Sequence, residues 1–583
     1  MLRKVSLVVG LLLLVQAVRP AAAAEEMPPP GRWVPRDAVA VLEVTQPKAV
    51  LDLALDSDLT KAVTGHPLYK QAMIQPRFMQ AKAIVEFLAS QVGTDWKTGL
   101  YKLTGGGVTV ALTSKGAVLV ILDTEDAKML GRLHGLLLTF AKGEAEKQGR
   151  PERVKSTDYR GQTCWDFGDG NIHTIVGNRY ISSSQPEGLK AVLDVRAGGE
   201  GQSVAALPAY QAATKAVAHG AVARAFVNLA VIKENPAVRQ GLDKNTNPMG
   251  ALLFASVIDS VRQSDWLALA LKLDGQTLSL DATMDGKAGQ SELAAFTRPE
   301  KPGLGILPNL QVPRMIAGMS LYRDLHGFYA AKDKLFPERT SGLIFFENMM
   351  GIFFSGRDLT EEVLAETRPE VRFVVAEQKY DPKLGTPPVQ VPAFALVLKV
   401  RDPKEIADLI EEAWQKAVGL VSFTSGQKGT PGLIIDRPDH GDVRFTVAYY
   451  GKIGVVDKEQ VSMRYNFRPA LAKVGDSVVF SSTEGLTRDL IDALKREAAS
   501  PPRPQAETNS LVEVDAGQVA SILSANRAAL VRQNIMAKGT GQKEAEAQID
   551  LLVSAVKLLG KATLAIGEQE GRFLARLALK LNP

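Results

Sequence analysis

The feature that most constrains this chain is that its second half repeats the local grammar of its first. Val34-Pro35-Arg36 opens an apolar, strand-like run, and Val312-Pro313-Arg314 opens another. Further on, Val176-Gly177-Asn178 leads through Ile181-Ser182-Ser183 and Glu187-Gly188-Leu189 into a helical pattern. Val474-Gly475-Asp476 leads through Phe480-Ser481-Ser482 and Glu484-Gly485-Leu486 into another. A repeat of this size predicts two lobes of one architecture, with a cleft between them as the place for a ligand. The offset between matching residues grows along the chain, as expected of insertions in second-copy loops, where extra length costs little.

The N-terminus carries an address. Arg3 and Lys4, the apolar run from Val5 to Val18 and Ala21-Ala22-Ala23-Ala24 follow the order of a cleaved secretory signal peptide, with the cut before Glu25. An apolar core of about 14 residues falls short of the roughly 20 that span a bilayer. The expectation is an extracytoplasmic protein, periplasmic or secreted, with no transmembrane anchor after cleavage. The later run Leu343 to Phe354 is broken by Glu347, Asn348 and Gly351 and reads as core. Cys164 is the only cysteine, so stability has to come from a core rather than from an internal disulfide.

Loss of residues 1–24 removes Arg3, Lys4 and Arg19 and lowers the formal net charge from +5 to +2. That balance gives no reason to expect nucleic acid as a partner, and no long stretch interleaves basic and aromatic residues. With 45% hydrophobic and 23% charged residues, the chain has the makings of two sizeable globular cores.

Five segments follow: a signal peptide at 1–24, a Pro-rich linker at 25–33, a first lobe at 34–285, an inter-lobe linker at 286–311 and a second lobe at 312–583. In the first lobe, Ala38 to Thr45 reads as a strand, and Val108 to Thr113 and Ala117 to Leu122 as a hairpin around Ser114-Lys115-Gly116. Asp123 to Asp126 caps a helix to about Lys142. The second lobe answers with a strand at Ala393 to Val400, Asp402-Pro403 as cap, and a helix from Lys404 to Val418. Each lobe closes on a hairpin, around Asp274-Gly275 and Glu570-Gly571, and a long helical region runs from Val519 to Leu559. Hairpins and short connections predict an α+β fold of mostly antiparallel sheets packed with helices.

Catalytic spacing is sparse. Gly303-Leu304-Gly305 is half of a dinucleotide-binding turn, with Pro308 where the third glycine belongs, and reads as linker. Ser425-Gly426-Gln427-Lys428 and Lys97-Thr98-Gly99 match two motifs of penicillin-recognising serine enzymes, in reversed order and without Ser-Asp-Asn. His66, His134, His173, His219, His326 and His440 share no i, i+2 or i, i+4 spacing, so a metal site requires distant segments to meet. Asp166 to Asn171 lacks the alternating ligands of a calcium loop and reads as a hairpin turn. Asp324 and His326 read as surface, Gly105-Gly106-Gly107 as a helix-to-strand break, and Cys164 as a small core residue. No catalytic, cofactor or metal residue is assigned, and no cofactor is expected.

The Pro-initiated strand Val34-Pro35-Arg36-Asp37-Ala38, together with Ala206-Leu207-Pro208-Ala209-Tyr210, resembles a family of large exported bacterial proteins grouped as a domain of unknown function. The resemblance implies export and duplicated α+β lobes, and brings no catalytic residues. The expectation is a non-enzymatic binding or scaffold protein of the bacterial cell envelope, engaging another envelope protein or an apolar ligand. The alternative is a hydrolase with its site in the inter-lobe cleft.

Overall fold

The apolar runs bounded by glycine turns form strands, and each pairing between them is antiparallel. The computed structural model describes residues 27–65, 69–70, 73–168, 170–198, 200–243, 247–287, 295–298, 305–380, 385–427, 432–450 and 461–582. The expected signal segment, His66, Asp169, Gly303-Leu304 and Lys428 lie outside them. The fold is α+β, as the hairpin grammar predicts. The chain divides into two units, one of residues up to Arg239 with Ser264–Asp285, the other of Gln240–Gln263 with the residues from Gly286 onward.

The first unit holds β1 (Ala38–Val44), β2 (Gly107–Thr113), β3 (Val118–Asp123), β4 (Lys155–Tyr159), β5 (Gln162–Asp166), β6 (Ile172–Val176), β7 (Arg179–Ser183), β8 (Ala221–Asn228), β9 (Trp266–Asp274) and β10 (Thr277–Lys287). Their order across the sheet is 4-5-6-7-3-2-1-8-9-10. Helix α1 (Ala127–Lys147) follows β3 and α2 (Pro186–Gly198) follows β7. Because successive strand residues face opposite ways, Ile121 and Ile181 meet Leu189, Val192 and Leu193 of α2, while Leu122 and Tyr180 meet Leu130 of α1. Pro30–Trp33 is not extended chain: it makes a 3-10 turn, where proline at a first-turn position costs no hydrogen bond. Arg179, wholly buried, grips Asp123 at 2.6 and 2.7 Å, donates to the Pro28 carbonyl at 2.8 Å and lies 4.3 Å over the buried Trp33 ring.

The second unit begins with α3 (Pro248–Gln263), which leaves the sequence of the first lobe to pack Ala251 and Ala255 against Phe296, Phe328 and Phe336. Its strands are β11 (Gly305–Ile306), β12 (Met315–Tyr322), β13 (Thr367–Ala376), β14 (Ala393–Val400), β15 (Leu433–Asp436), β16 (Asp439–His440), β17 (Val443–Tyr450), β18 (Ala470–Val474), β19 (Ser477–Ser481), β20 (Gln505–Ala506), β21 (Thr508–Asp515), β22 (Leu559–Gln569) and β23 (Arg572–Leu581). The main sheet runs 15-17-18-19-14-13-12-21-22-23. That is the order of the first unit, strand for strand. The match extends to the turns: Gly177 between β6 and β7 and Gly475 between β18 and β19 have φ of 63° and 60°. Ser183 and Ser481, at the ends of β7 and β19, each accept from the amide two residues on and donate to that residue's carbonyl.

Helix α4 (Thr340–Phe353) overturns the reading of Leu343 to Phe354 as core. Leu343, Met350 and Phe353 pack inward, but Phe345 and Ile352 are 71% and 73% exposed, and Ile344, Phe346 and Met349 are exposed with them. A mostly apolar helix normally signals burial; among the described residues, neighbours cover one side only. Helix α5 (Ile406–Gln427) runs nine residues past the expected end, and α6 (Glu484–Ala499) follows β19. The long helical region is three helices, α7 (Ala516–Ala525), α8 (Arg527–Lys538) and α9 (Gln542–Leu558), broken at Asn526 and at left-handed Gly539. Among the described residues no helix is long and apolar enough to cross a membrane.

Arg323, 1% exposed, finds no carboxylate among the described residues it hydrogen-bonds. It donates to the carbonyls of Leu252 and Leu253 in α3 at 2.6 and 2.9 Å, to those of Tyr322 and Asn509, and to the Ser510 hydroxyl. Burial lowers its pKa to about 10. Arg323→Met should cost about 3 kcal/mol or more, because it strands several buried acceptors; urea unfolding showing a loss under about 1 kcal/mol would contradict this account.

His173 is 4% exposed, and burial, aided by His134 with ring centroids 5.8 Å apart, holds its pKa down at about 3. The unfolded chain takes up this proton below about 6.5, whereas the folded one does not. The stabilisation from neutral His173 is therefore complete above pH 6.5 and declines toward pH 3, by at most about 1.4 kcal/mol per pH unit. Unfolding midpoints of wild type and His173→Phe at pH 7 and pH 5 test this: the variant should lose less stability between the two.

Candidate functional site

The second unit's sheet buries one face under α6, where Leu486, Leu490, Ile491 and Leu494 meet Ala395, Val397, Val447 and Val479. The intervening residues of the same strands, Phe394, Leu396 and Phe480 among them, face the other way. Helix α5 covers that second face unevenly. Its first half closes on it, with Ile406, Ala407, Ile410 and Ala413 in one buried cluster with Leu471 and Val478. Along its second half Trp414, Ala417, Val418 and Val421 face the strands across a groove of about 570 Å³.

That volume suits a small-molecule pocket, and the wall is almost wholly apolar. Its polar side-chain groups are the Ser481 and Ser482 hydroxyls, the Tyr450 hydroxyl and the Trp414 indole N–H. Both serines are spent on backbone, Ser481 donating to the Thr483 carbonyl and Ser482 accepting from the Phe394 amide. Phe394 is 52% exposed, and Val421 and Phe467 are exposed with it, so the groove opens to solvent.

Tyr450 and Phe467 also line a second cavity, of about 910 Å³, whose wall carries many more polar and charged side chains than the groove. Buried Asn466 builds its wall: the side-chain oxygen accepts from the Tyr380 hydroxyl at 2.6 Å and the Val391 amide at 2.9 Å, and the side-chain nitrogen donates to the carbonyls of Val389 and Met463, both at 3.0 Å. Burial pushes the Tyr380 hydroxyl up to about 12, so it remains a donor at neutral pH. Arg468 pairs with Glu484 at 2.8 Å and lies 5.1 Å over the Tyr449 ring. Arg488 shares Glu484, and His440 Nε2 is 2.9 Å from Asp492. Burial raises Asp489, which stands 3.6 Å from Arg314.

The residues weighed from sequence are scattered. Lys97 and Thr98 open a helix capped by Asp95, and Lys97 bridges Asp56 at 2.6 Å. Asp324 caps a helix by accepting from the Gly327 amide, while His326 stands 3.8 Å from Glu361. Asp166 accepts from the Gly168 amide within its turn. A side chain at Gly106 would lie 2.8 Å from Asp123, which accounts for the glycine break by close packing. Cys164 is buried, and burial raises its thiol pKa, which disfavours the thiolate. His134 and His173 do meet from distant segments, yet no group of three or more metal-ligating side chains gathers among the described residues.

Neither the groove nor the second cavity was visible as a motif. The available signals were local: the unbroken apolar run Ala393 to Val400, the apolar second half of α5, and the alternation of cation and aromatic in Arg464-Tyr465-Asn466-Phe467-Arg468.

No family model and no curated protein matches this chain. Solved structures with some likeness include crystal forms I and III of TP0453, 9% and 10% identical to it. Each alignment covers 46% of this chain, and 81% and 82% of TP0453 respectively, with TM-scores of 0.24 and 0.23. At such scores the likeness carries no argument about fold or function.

Proposed function

We propose that this chain is an exported, non-enzymatic binding protein of the bacterial cell envelope, made of two copies of one α+β unit, whose second unit holds the apolar chain of a lipid-like ligand. The observation that carries this reading is the groove between α5 and the sheet, open to solvent and lined by Phe373, Phe394, Leu396, Trp414 and Phe480. An empty apolar groove leaves these side chains against water, and each methylene of a ligand buried there gains roughly 0.8 kcal/mol. Export rests on the sequence of residues 1–24. Among the described residues that line the neighbouring cavity there is no serine or cysteine to serve a hydrolytic reading. The His440–Asp492 pair is present, but the Thr483 hydroxyl caps α6 by accepting from the Leu486 amide.

Trp414 provides the test, because Trp33, Trp96, Trp165 and Trp266 all belong to the first unit. A bromine-labelled fatty acid should quench the fluorescence of the full chain saturably, and Trp414→Phe should abolish that component. Ala417→Phe, which fills the groove, should weaken binding about tenfold, the equivalent of two methylenes. Absence of Trp414 quenching at millimolar ligand would remove this function.

A further inference from the structure

We infer that the second cavity is a binding site in its own right, independent of the groove, and that it takes a neutral saccharide laid against its tyrosine rings. The cavity is walled by chain that the first unit lacks in the corresponding places. There, residues 114–117 join β2 to β3, and residues 167–171 join β5 to β6. The counterparts in strand order are joined by residues 377–392, between β13 and β14, and by residues 451–469, between β17 and β18. The described residues of these two longer connections clasp each other at Asn466. Its side chain accepts from the Tyr380 hydroxyl and the Val391 amide and donates to the Val389 carbonyl. Gln378 donates in turn to the Asn466 carbonyl at 3.2 Å. Extended connections held in fixed geometry by a sheet are where binding residues collect. This pair brings Gln378, Tyr380, Tyr465 and Phe467 to the cavity, beside the first turns of α6.

The charges of the wall cancel. Arg468 and Arg488 both hold Glu484 at 2.8 Å, Arg314 stands 3.6 Å from Asp489, and His440 Nε2 is 2.9 Å from Asp492. Lys379 and Glu377 add one charge of each sign. A ligand with net charge would give up hydration here without a net Coulombic return, a cost that a neutral ligand does not meet. What the wall leaves unspent suits hydroxyl groups. The Tyr449 and Tyr465 hydroxyls line the cavity and hydrogen-bond to no described residue; a phenol both donates and accepts, as a sugar hydroxyl does. The paired carboxylates and guanidiniums keep further acceptors and donors, fixed in place by their partners, and charge assistance strengthens a hydrogen bond from a neutral hydroxyl. Arg468 lies 5.1 Å over the Tyr449 ring and steadies it. Aromatic faces carry partial negative charge, which suits the apolar C–H face of a sugar ring. About 910 Å³ gives room for an oligosaccharide.

The labelled full chain is applied to an array of neutral hexose and N-acetylhexosamine oligosaccharides, with sialylated, sulfated and phosphorylated glycans beside them, and the best binder is titrated by calorimetry. Neutral glycans should bind, with an affinity that salt leaves unchanged because no net charge is brought together. Gly485 lines the cavity, has an ordinary helical backbone, and a side chain there would meet nothing within 4 Å of its first carbon. Gly485→Phe should therefore fold as the wild type does by urea unfolding and lose glycan binding. Tyr465→Phe, which removes one hydroxyl and keeps the ring, should weaken binding about three- to tenfold. Three results each overturn the inference: no glycan bound at millimolar concentration, a charged glycan preferred with an affinity that falls as salt rises, or neutral glycan binding that survives both variants. Fatty-acid quenching of Trp414 decides the groove reading separately, since neither Gly485 nor Tyr465 lines the groove.

Discussion

An antiparallel sheet with apolar residues on both faces has to find cover for both, and the architecture of the second unit turns on how unevenly it does so. Over much of its length the α6 face is closed, by leucine and isoleucine against small strand residues such as Ala395 and Ala472. The α5 face carries the large residues Phe373, Phe394 and Phe480, and a helix resting on them stands further off. At its first half α5 meets the smaller Leu471 and Val478 and closes down. The groove is thus the consequence of side-chain size along one face of a sheet whose register is set by the other.

Charge inside these units follows a consistent rule. Arg179 has Asp123, Arg372 has Glu497 at 2.6 and 2.8 Å, and Arg323 has backbone carbonyls and a serine hydroxyl. Each buried guanidinium is matched because an unmatched one costs several kcal/mol. They also tie together segments that are far apart in sequence, β13 to α6 and α3 to β12 and β21.

Much of the fold was legible where short-range chemistry decides. The hairpin turns at Gly177 and Gly475, the Asp126 cap of α1 and the strand at Ala393–Val400 all depend on residues within a few positions of one another. The strand Thr367–Ala376 was not legible. It begins with Pro369 two residues in, pairs irregularly with β14 between Thr367 and Val371, and buries Arg372 only because Glu497 arrives from 125 residues away. Helix α4 misled in the opposite direction, since its hydrophobicity promised burial, yet Phe345 and Ile352 on its outer side stay exposed. The long helical region near the C-terminus hid its breaks, because a single Asn526 or Gly539 is a weak stop signal inside an apolar-periodic run.

Sequence alone determined the class of this protein: antiparallel strands, their turns and helix caps, and a grammar stated twice, because these follow from backbone preferences and period-two or period-3.6 patterns that act locally. Only the tertiary structure decided that the two halves share one strand order, that residues 248–263 serve the second unit, and that Trp414, Phe394 and Phe480 frame a groove. Those outcomes depend on which faces find partners across hundreds of residues, and one-dimensional pattern carries no record of the gap left when two packed layers fail to close.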